Sequence, residues 1–236
     1  MSSTTRRRII AIGDIHGCVN ALDSILEAIQ PCADDLLISL GDFVDQGCET
    51  RLVIDCLRDL RDRCELVCLT GNHEEMLLAA RSSEPALRHW EVCGGVQTLN
   101  SYRFGGTLDD IPEDHWEFVR SCRDFFETDN HIFVHANFDP RLPMPAQEDY
   151  TLRWELLEPD VARCHGSGKT VIVGHTEQAD GEVLDLGCVK CIDTACWRYG
   201  WLTALEVNTN QIWQASRFGQ LRESGESPVG PTGPRR

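Results

Sequence analysis

AIGDIHGCVNALDSILEAI, Ala11 to Ile29, joins an apolar run to a helix-like pattern through a short polar turn. The apolar run starts at Ile9-Ile10-Ala11-Ile12, short and continuous, as a buried strand demands. Leu22, Ile25, Leu26 and Ile29 follow at helical spacing. Between them stand Asp14 and His16, one residue apart and bracketed by Gly13 and Gly17. Alternate side chains of extended backbone point the same way, so the carboxylate and the imidazole leave this strand end together. The glycines permit a sharp turn and close backbone approach.

The same grammar repeats downstream. Leu36 to Leu40 reads as a second buried strand, and Val53, Cys56, Leu57 and Leu60 mark a second helix. Leu66 to Leu69 is a third strand, and Glu74 to Arg81 is helical again. Such β-α alternation predicts a parallel sheet with right-handed crossovers. From Ser82 to about Asn130 the alternation stops, and the segment is read as an insertion over one edge of the sheet. Trp90, Trp116 and Trp154 are assigned to packing that insertion. Strands resume at Ile132 to Val134 and Val171 to Val173. After Asp180, "GEVLDLG", "VKCID", "WLTALEV" and "QIWQAS" follow one another and predict an antiparallel second sheet. One domain over 1–222 is expected, with a disordered Gly/Pro/Ser-rich tail over 223–236.

The chain has 236 residues and a net charge of −16. Phosphate-backbone binding needs basic surface, so nucleic acid is excluded as the default partner, and so is adsorption to anionic membrane. No apolar run approaches the ~18 residues that span a bilayer. Ile9 to Ile12 is too short for a signal-peptide core and is cut off by Asp14. A cytoplasmic location is expected, and with it mostly reduced thiols for the twelve cysteines. Cys188 and Cys191 form a lone C-x-x-C, read as strand-borne thiols in preference to a metal site.

Five strand ends carry the polar chemistry: Gly13-Asp14-Ile15-His16-Gly17, Gly41-Asp42-Phe43-Val44-Asp45-Gln46-Gly47, Gly71-Asn72-His73-Glu74, Val134-His135-Ala136 and Gly174-His175-Thr176. Carboxyl ends of parallel strands meet at one edge, where ligands bind. Asp14, His16, Asp42, Asn72, His135 and His175 are therefore expected to converge. A single zinc site uses only three or four protein ligands, so this set suits two divalent ions. A carboxylate is the natural bridge, and Asp42 is the candidate. The mixed imidazole and oxygen donors fit manganese, iron or zinc better than calcium.

The ordered motifs "GDIHG", "GDFVDQG", "GNHE", "VHA" and "VGHT" resemble the calcineurin-like metallophosphoesterases, and most closely their phosphoprotein phosphatase branch. The resemblance spans roughly Arg8 to Val207. It implies an α/β fold, a four-layer α/β/β/α sandwich of two mixed sheets flanked by helices. It implies two divalent ions, manganese first, with iron, zinc, cobalt or nickel as alternatives. One ion would rest on Asp14, His16 and Asp42, the other on Asp42, Asn72, His135 and His175. His73 would protonate the leaving oxygen, and Asp45 would orient it. Arg153 and Asn72 would face the substrate phosphate. The family's GDxVDRG arginine is Gln46 here, which cannot supply a charged fork at that phosphate position. The ending "IDTACWRYGWLTALEV" is similar to small bacterial Ser/Thr-type phosphatases and to symmetrical diadenosine-tetraphosphate hydrolases. The latter typically carry Gln where His16 stands, which favours the phosphatase side.

The expected activity is thus phosphomonoester hydrolysis, on a phosphorylated protein or a small phosphoester. A dinucleoside polyphosphate hydrolase and a non-catalytic metal-binding module are the alternatives. "GSGKT" at Gly166 to Thr170 lacks the first glycine of a phosphate loop and precedes a strand, so it is set aside.

Overall fold

Ile10 and Ile12 face one apolar layer and Ala11 the other, and this alternation sandwiches the first strand. The computed structural model describes residues 7–223. Of the predicted tail, only Glu223 falls within them. β1 (Ile9–Ile12) leads into α1 (Val19–Ile29), β2 (Leu36–Ser39), α2 (Thr50–Leu60), β3 (Glu65–Cys68) and α3 (Asn72–Ala80). β1 pairs parallel with β2, and β2 with β3, in a register that sets Ile12, Ser39 and Cys68 side by side. The loops after all three strands therefore open on one edge.

The segment predicted as an insertion is mostly helical. α4 (Glu84–Trp90) passes through a widened turn, where Gly94 takes φ 115°, into α5 (Val96–Tyr102). α6 (Glu113–Arg120) follows. α4 and α6 pack on α3, and α5 packs on α2, so the segment joins the helical layer. Its end, β4 (Phe125–Glu127), is a strand of the other sheet, paired antiparallel with β5 (His131–Val134).

α7 (Asp149–Arg153) is one short turn, and β6 (Thr170–Val173) then runs parallel to β5. β7 (Leu184–Asp185), β8 (Val189–Cys191), β9 (Trp201–Glu206) and β10 (Gln211–Ser216) complete the strands. The predicted antiparallel second sheet does not form from these four. β8 pairs parallel with β6, while β9 turns antiparallel onto β1 and carries β10 with it. Turn residues between short apolar runs specify hairpins, not which sheet a hairpin joins. The result is two mixed sheets, ordered β10-β9-β1-β2-β3 and β4-β5-β6-β8-β7.

The sheets face each other through Ala11, Ile38 and Leu69 on one side and Phe133, Ile172 and Ile192 on the other. Helices cover the outer face of the first sheet. The outer face of the second is covered by Phe138, Met144, Leu152 and Leu157, from a stretch with little regular structure. Cys188 is disulfide-bonded to Cys164, which corrects the expectation of thiols at that C-x-x-C; the other ten cysteines are free.

Candidate metal centre

Five of the site residues are held in left-handed backbone: His16 (φ 45°), Asp42 (47°), Asp45 (67°), Gln46 (64°) and His175 (60°). Non-glycine residues adopt this region at a cost, and such strain gathers where geometry must be forced. Two glycines make room. A Cβ on Gly71 would stand 2.1 Å from Asp42 Oδ1, and one on Gly174 would stand 2.1 Å from Asp14 Oδ1.

Three imidazoles have one nitrogen committed to the backbone. His16 Nδ1 donates to Val44 O at 2.9 Å, and His135 Nδ1 donates to Leu40 O at 2.9 Å. His175 Nε2 instead donates to Trp154 O at 3.1 Å, leaving Nδ1. Such outer contacts fix the ring and aim the other nitrogen as a ligand. The free nitrogens meet at Asp42. Its Oδ2 lies 3.7 Å from His16 Nε2 and 3.4 Å from His135 Nε2. His135 Nε2 also lies 3.1 Å from Asn72 Oδ1. With Nδ1 as donor, a His135 ring without a proton on Nε2 would turn a lone pair towards two oxygens, and against burial, which lowers its pKa, Asp42 accordingly raises it above the ordinary value. Converging lone pairs repel, and a cation among them removes the conflict.

Ligand atoms of His16, Asp42 and His73 lie within 4.8 Å of one another, as do those of Asp42, His135 and His175. Asp14 is outside both groups; its carboxylate accepts the His175 N–H at 3.1 Å. The electrostatics also call for positive charge. Burial raises the Asp14 pKa well above the ordinary value, and Asp193 and Asp42 add to the rise. Asp193 is pushed up to about 7, first by burial. Burial lowers His16 and His175 to about 4, so at neutral pH they are unprotonated and able to ligate. Asp42 stays well below its ordinary value despite burial, because His135, His73 and His16 surround it. The residues present fit a divalent-cation centre.

Beside it, His73 Nδ1 donates to Asp45 Oδ2 at 2.8 Å. Asp45 is fully buried and also accepts Trp90 Nε1 at 2.8 Å and Thr98 Oγ1 at 2.7 Å. Both donors come from the segment after Ser82, where the sequence carried no signal for them. Trp90 packs the segment as expected and holds Asp45 as well. Glu74 is another residue left without a role by the sequence reading. Its carboxylate accepts the N–H groups of Asp42 (2.7 Å), Phe43 (2.9 Å), Val44 (3.2 Å) and Gly71 (2.8 Å). A glutamate three residues after a helix's first boundary residue is a readable capping signal, and "GNHE" contains it.

Of the three residues expected at the substrate phosphate, Asn72 lies against His135, and Arg153 and Gln46 are engaged elsewhere. Arg153 spends its fork on Glu75 (3.0 Å) and Asp124 (2.6 Å). Gln46 donates its amide to Cys93 O at 2.8 Å, tying its loop to the turn between α4 and α5.

The sequence model described as calcineurin-like phosphoesterase matches residues 7–198. Serine/threonine-protein phosphatase 1 of Salmonella typhimurium (strain LT2) is 36% identical over 93 residues, which cover 38% of this chain and 39% of that protein. The symmetrical bis(5'-nucleosyl)-tetraphosphatase of Janthinobacterium sp. (strain Marseille) is 31% identical over 137 residues, 56% of this chain and 44% of that protein. The match thus spans less than half the length of these curated relatives. The crystal structure of a metallophosphoesterase from Sphaerobacter thermophilus superposes with a TM-score of 0.57 at 20% identity, covering 92% of this chain and 88% of that one; it shares the fold.

Proposed function

This chain belongs to the calcineurin-like phosphoesterase family, and on that premise we propose that it is a two-metal hydrolase of phosphoric monoesters. The observation that carries this reading is Asp42 Oδ2, placed between the ligand nitrogens of His16 and His135. Asp14, His16 and Asp42 would hold one ion, and Asp42, Asn72, His135 and His175 the other. Bound there, two cations, most simply manganese, lower the pKa of water and neutralise phosphoryl oxygens.

The protein's own part is positioning and proton delivery. Leu40 and Val44 carbonyls hold His135 and His16 in the ligating orientation. His73, with Nδ1 fixed on Asp45, keeps Nε2 as the donor for the leaving oxygen. Burial of Asp45 keeps water from competing for that bond.

The test is turnover of a simple aryl phosphate by chelator-stripped protein during manganese titration. Activity should rise with about two equivalents and fall at least about a hundredfold in Asp42→Asn. Inactivity with manganese, nickel, cobalt and zinc would overturn the reading. A second reading, cleavage between phosphates of a dinucleoside polyphosphate, is supported by relatives of that name at 31% to 40% identity. Release of a nucleoside diphosphate without inorganic phosphate would select it.

A further inference from the structure

Beside the metal centre, on the loop between β8 and β9, stands an aromatic plane that neither reading above uses. The Trp197 ring lies 6.3 Å from the His16 ring, at 74° to it. Its Nε1 donates to Glu177 Oε1 at 3.1 Å, on the loop just after His175. Arg198 lies over the same indole, with Cζ 4.6 Å from the ring centroid, and its Nε meets the same Glu177 oxygen at 3.0 Å. Arg217 Nη1 holds the Trp197 carbonyl at 3.1 Å. Trp197 is half-buried, while the Arg198 side chain is 48% exposed.

An exposed ion pair contributes little to stability, so Glu177 and Arg198 are poorly explained as a staple for the fold. What the arrangement does is fix an indole beside His16 with a guanidinium over its ring. Both are surfaces on which planar π-systems stack. The Arg198 guanidinium is itself paired with Glu177, as Arg153 is with Glu75 and Asp124, so what this arrangement offers a ligand is an oriented stacking surface more than free charge.

We propose that Trp197 and Arg198, pinned by Glu177, form the subsite for the organic half of the substrate and select a planar aromatic group, a nucleobase or aryl ring, over an aliphatic one. This rests on the phosphoester reading of the metal centre and adds to it the chemical class of the leaving group. Trp197 is a specificity residue here; it takes no part in proton transfer.

Adenosine 5'-monophosphate and ribose 5-phosphate carry the same phosphoester and differ in the base, so their comparison isolates the stacking. Calorimetric titration of both into manganese-loaded full-length protein should show the nucleotide binding about tenfold tighter. Trp197→Ala should erase that preference, and Trp197→Phe should restore most of it. Equal affinity for the two ligands in the wild type, or binding of neither, overturns the proposal. An equal loss for both ligands in Trp197→Ala also overturns it, because the indole would then only support His16. Binding is read apart from turnover. Inactive protein that keeps the nucleotide preference would defeat the hydrolase reading and leave this one standing.

Discussion

A leaving alkoxide needs a proton, and at neutral pH His73 is built to hold one. Burial works against the imidazolium, but Asp42 and Asp45 outweigh it and lift the pKa from 6.5 to about 9. A folded-state value above the ordinary one fixes the sign. In metal-free protein the stabilisation is complete below about pH 6.5 and fades as pH rises through about 9. An NMR titration of the metal-free ring should therefore have its midpoint near 9, and Asp45→Asn should move it down. In turnover, Asp45→Asn should cost about 10²-fold on alkyl esters, the size of a general-acid contribution. On a nitrophenyl ester, whose leaving group needs no proton, the loss should be far smaller; equal losses on both would remove His73 from the role. Gln46→Arg gives a second check. It replaces a neutral amide with a charged donor, so it should lower KM by about tenfold or more and alter kcat less. Unchanged KM would show that this position does not see the phosphate. The positions of His16, Asp42, His135 and His175, whose ligand atoms gather here, were readable because each lies just after a buried strand, as His175 follows Val173. Trp90 and Thr98 were not. They reach Asp45 from 45 and 53 positions away, and nothing local in their segment records that contact.

At the level of elements, the loop after β2 has no strand partner for its amides, and Glu74 supplies the acceptors. One carboxylate at the start of α3 receives four N–H groups, three of them from the loop that carries Asp42. Burial pushes the Glu74 pKa up to about 7, with Asp42 adding to the rise and the Gly71 and Asp42 amides opposing it. Glu74→Gln keeps the volume but turns an NH2 group towards those amides. Unfolding in urea should show a loss of about 2–3 kcal/mol or more, since buried donors are left facing a donor. Manganese affinity should fall with it, because Asp42 then rests on a looser loop. Unchanged stability would mean that the loop finds other acceptors. The same scale explains what the sequence misassigned. β9 and β10 have the periodicity of a hairpin, and that periodicity is satisfied on either sheet. Only packing of α1 on β9 and β10, with the antiparallel register of Ile12 on Ala204, commits them to the first.

For the molecule as a whole, the proposed ligands sit where two sheets meet. Asp14, His16, Asp42 and Asn72 come from loops of the first sheet, His135 and His175 from the ends of β5 and β6 in the second. An apolar cluster that includes Leu40, Leu69, Phe133 and Ile172 also joins the sheets. Ions shared between the two ligand sets would cross-link the sheets, and their binding energy would add to folding stability. At one hundred times Kd each site adds about 2.7 kcal/mol. For a chain of this size, two sites correspond to a rise in Tm of roughly 10–20 °C. Chelation should reverse that rise in a thermal melt, and manganese should restore it in step with activity. His175→Ala removes a ligand from the second sheet alone, so its melt should respond to manganese about half as much. A Tm that ignores chelator while turnover disappears would mean that ion binding adds nothing to folding stability, and the cross-link between the sheets would be overturned.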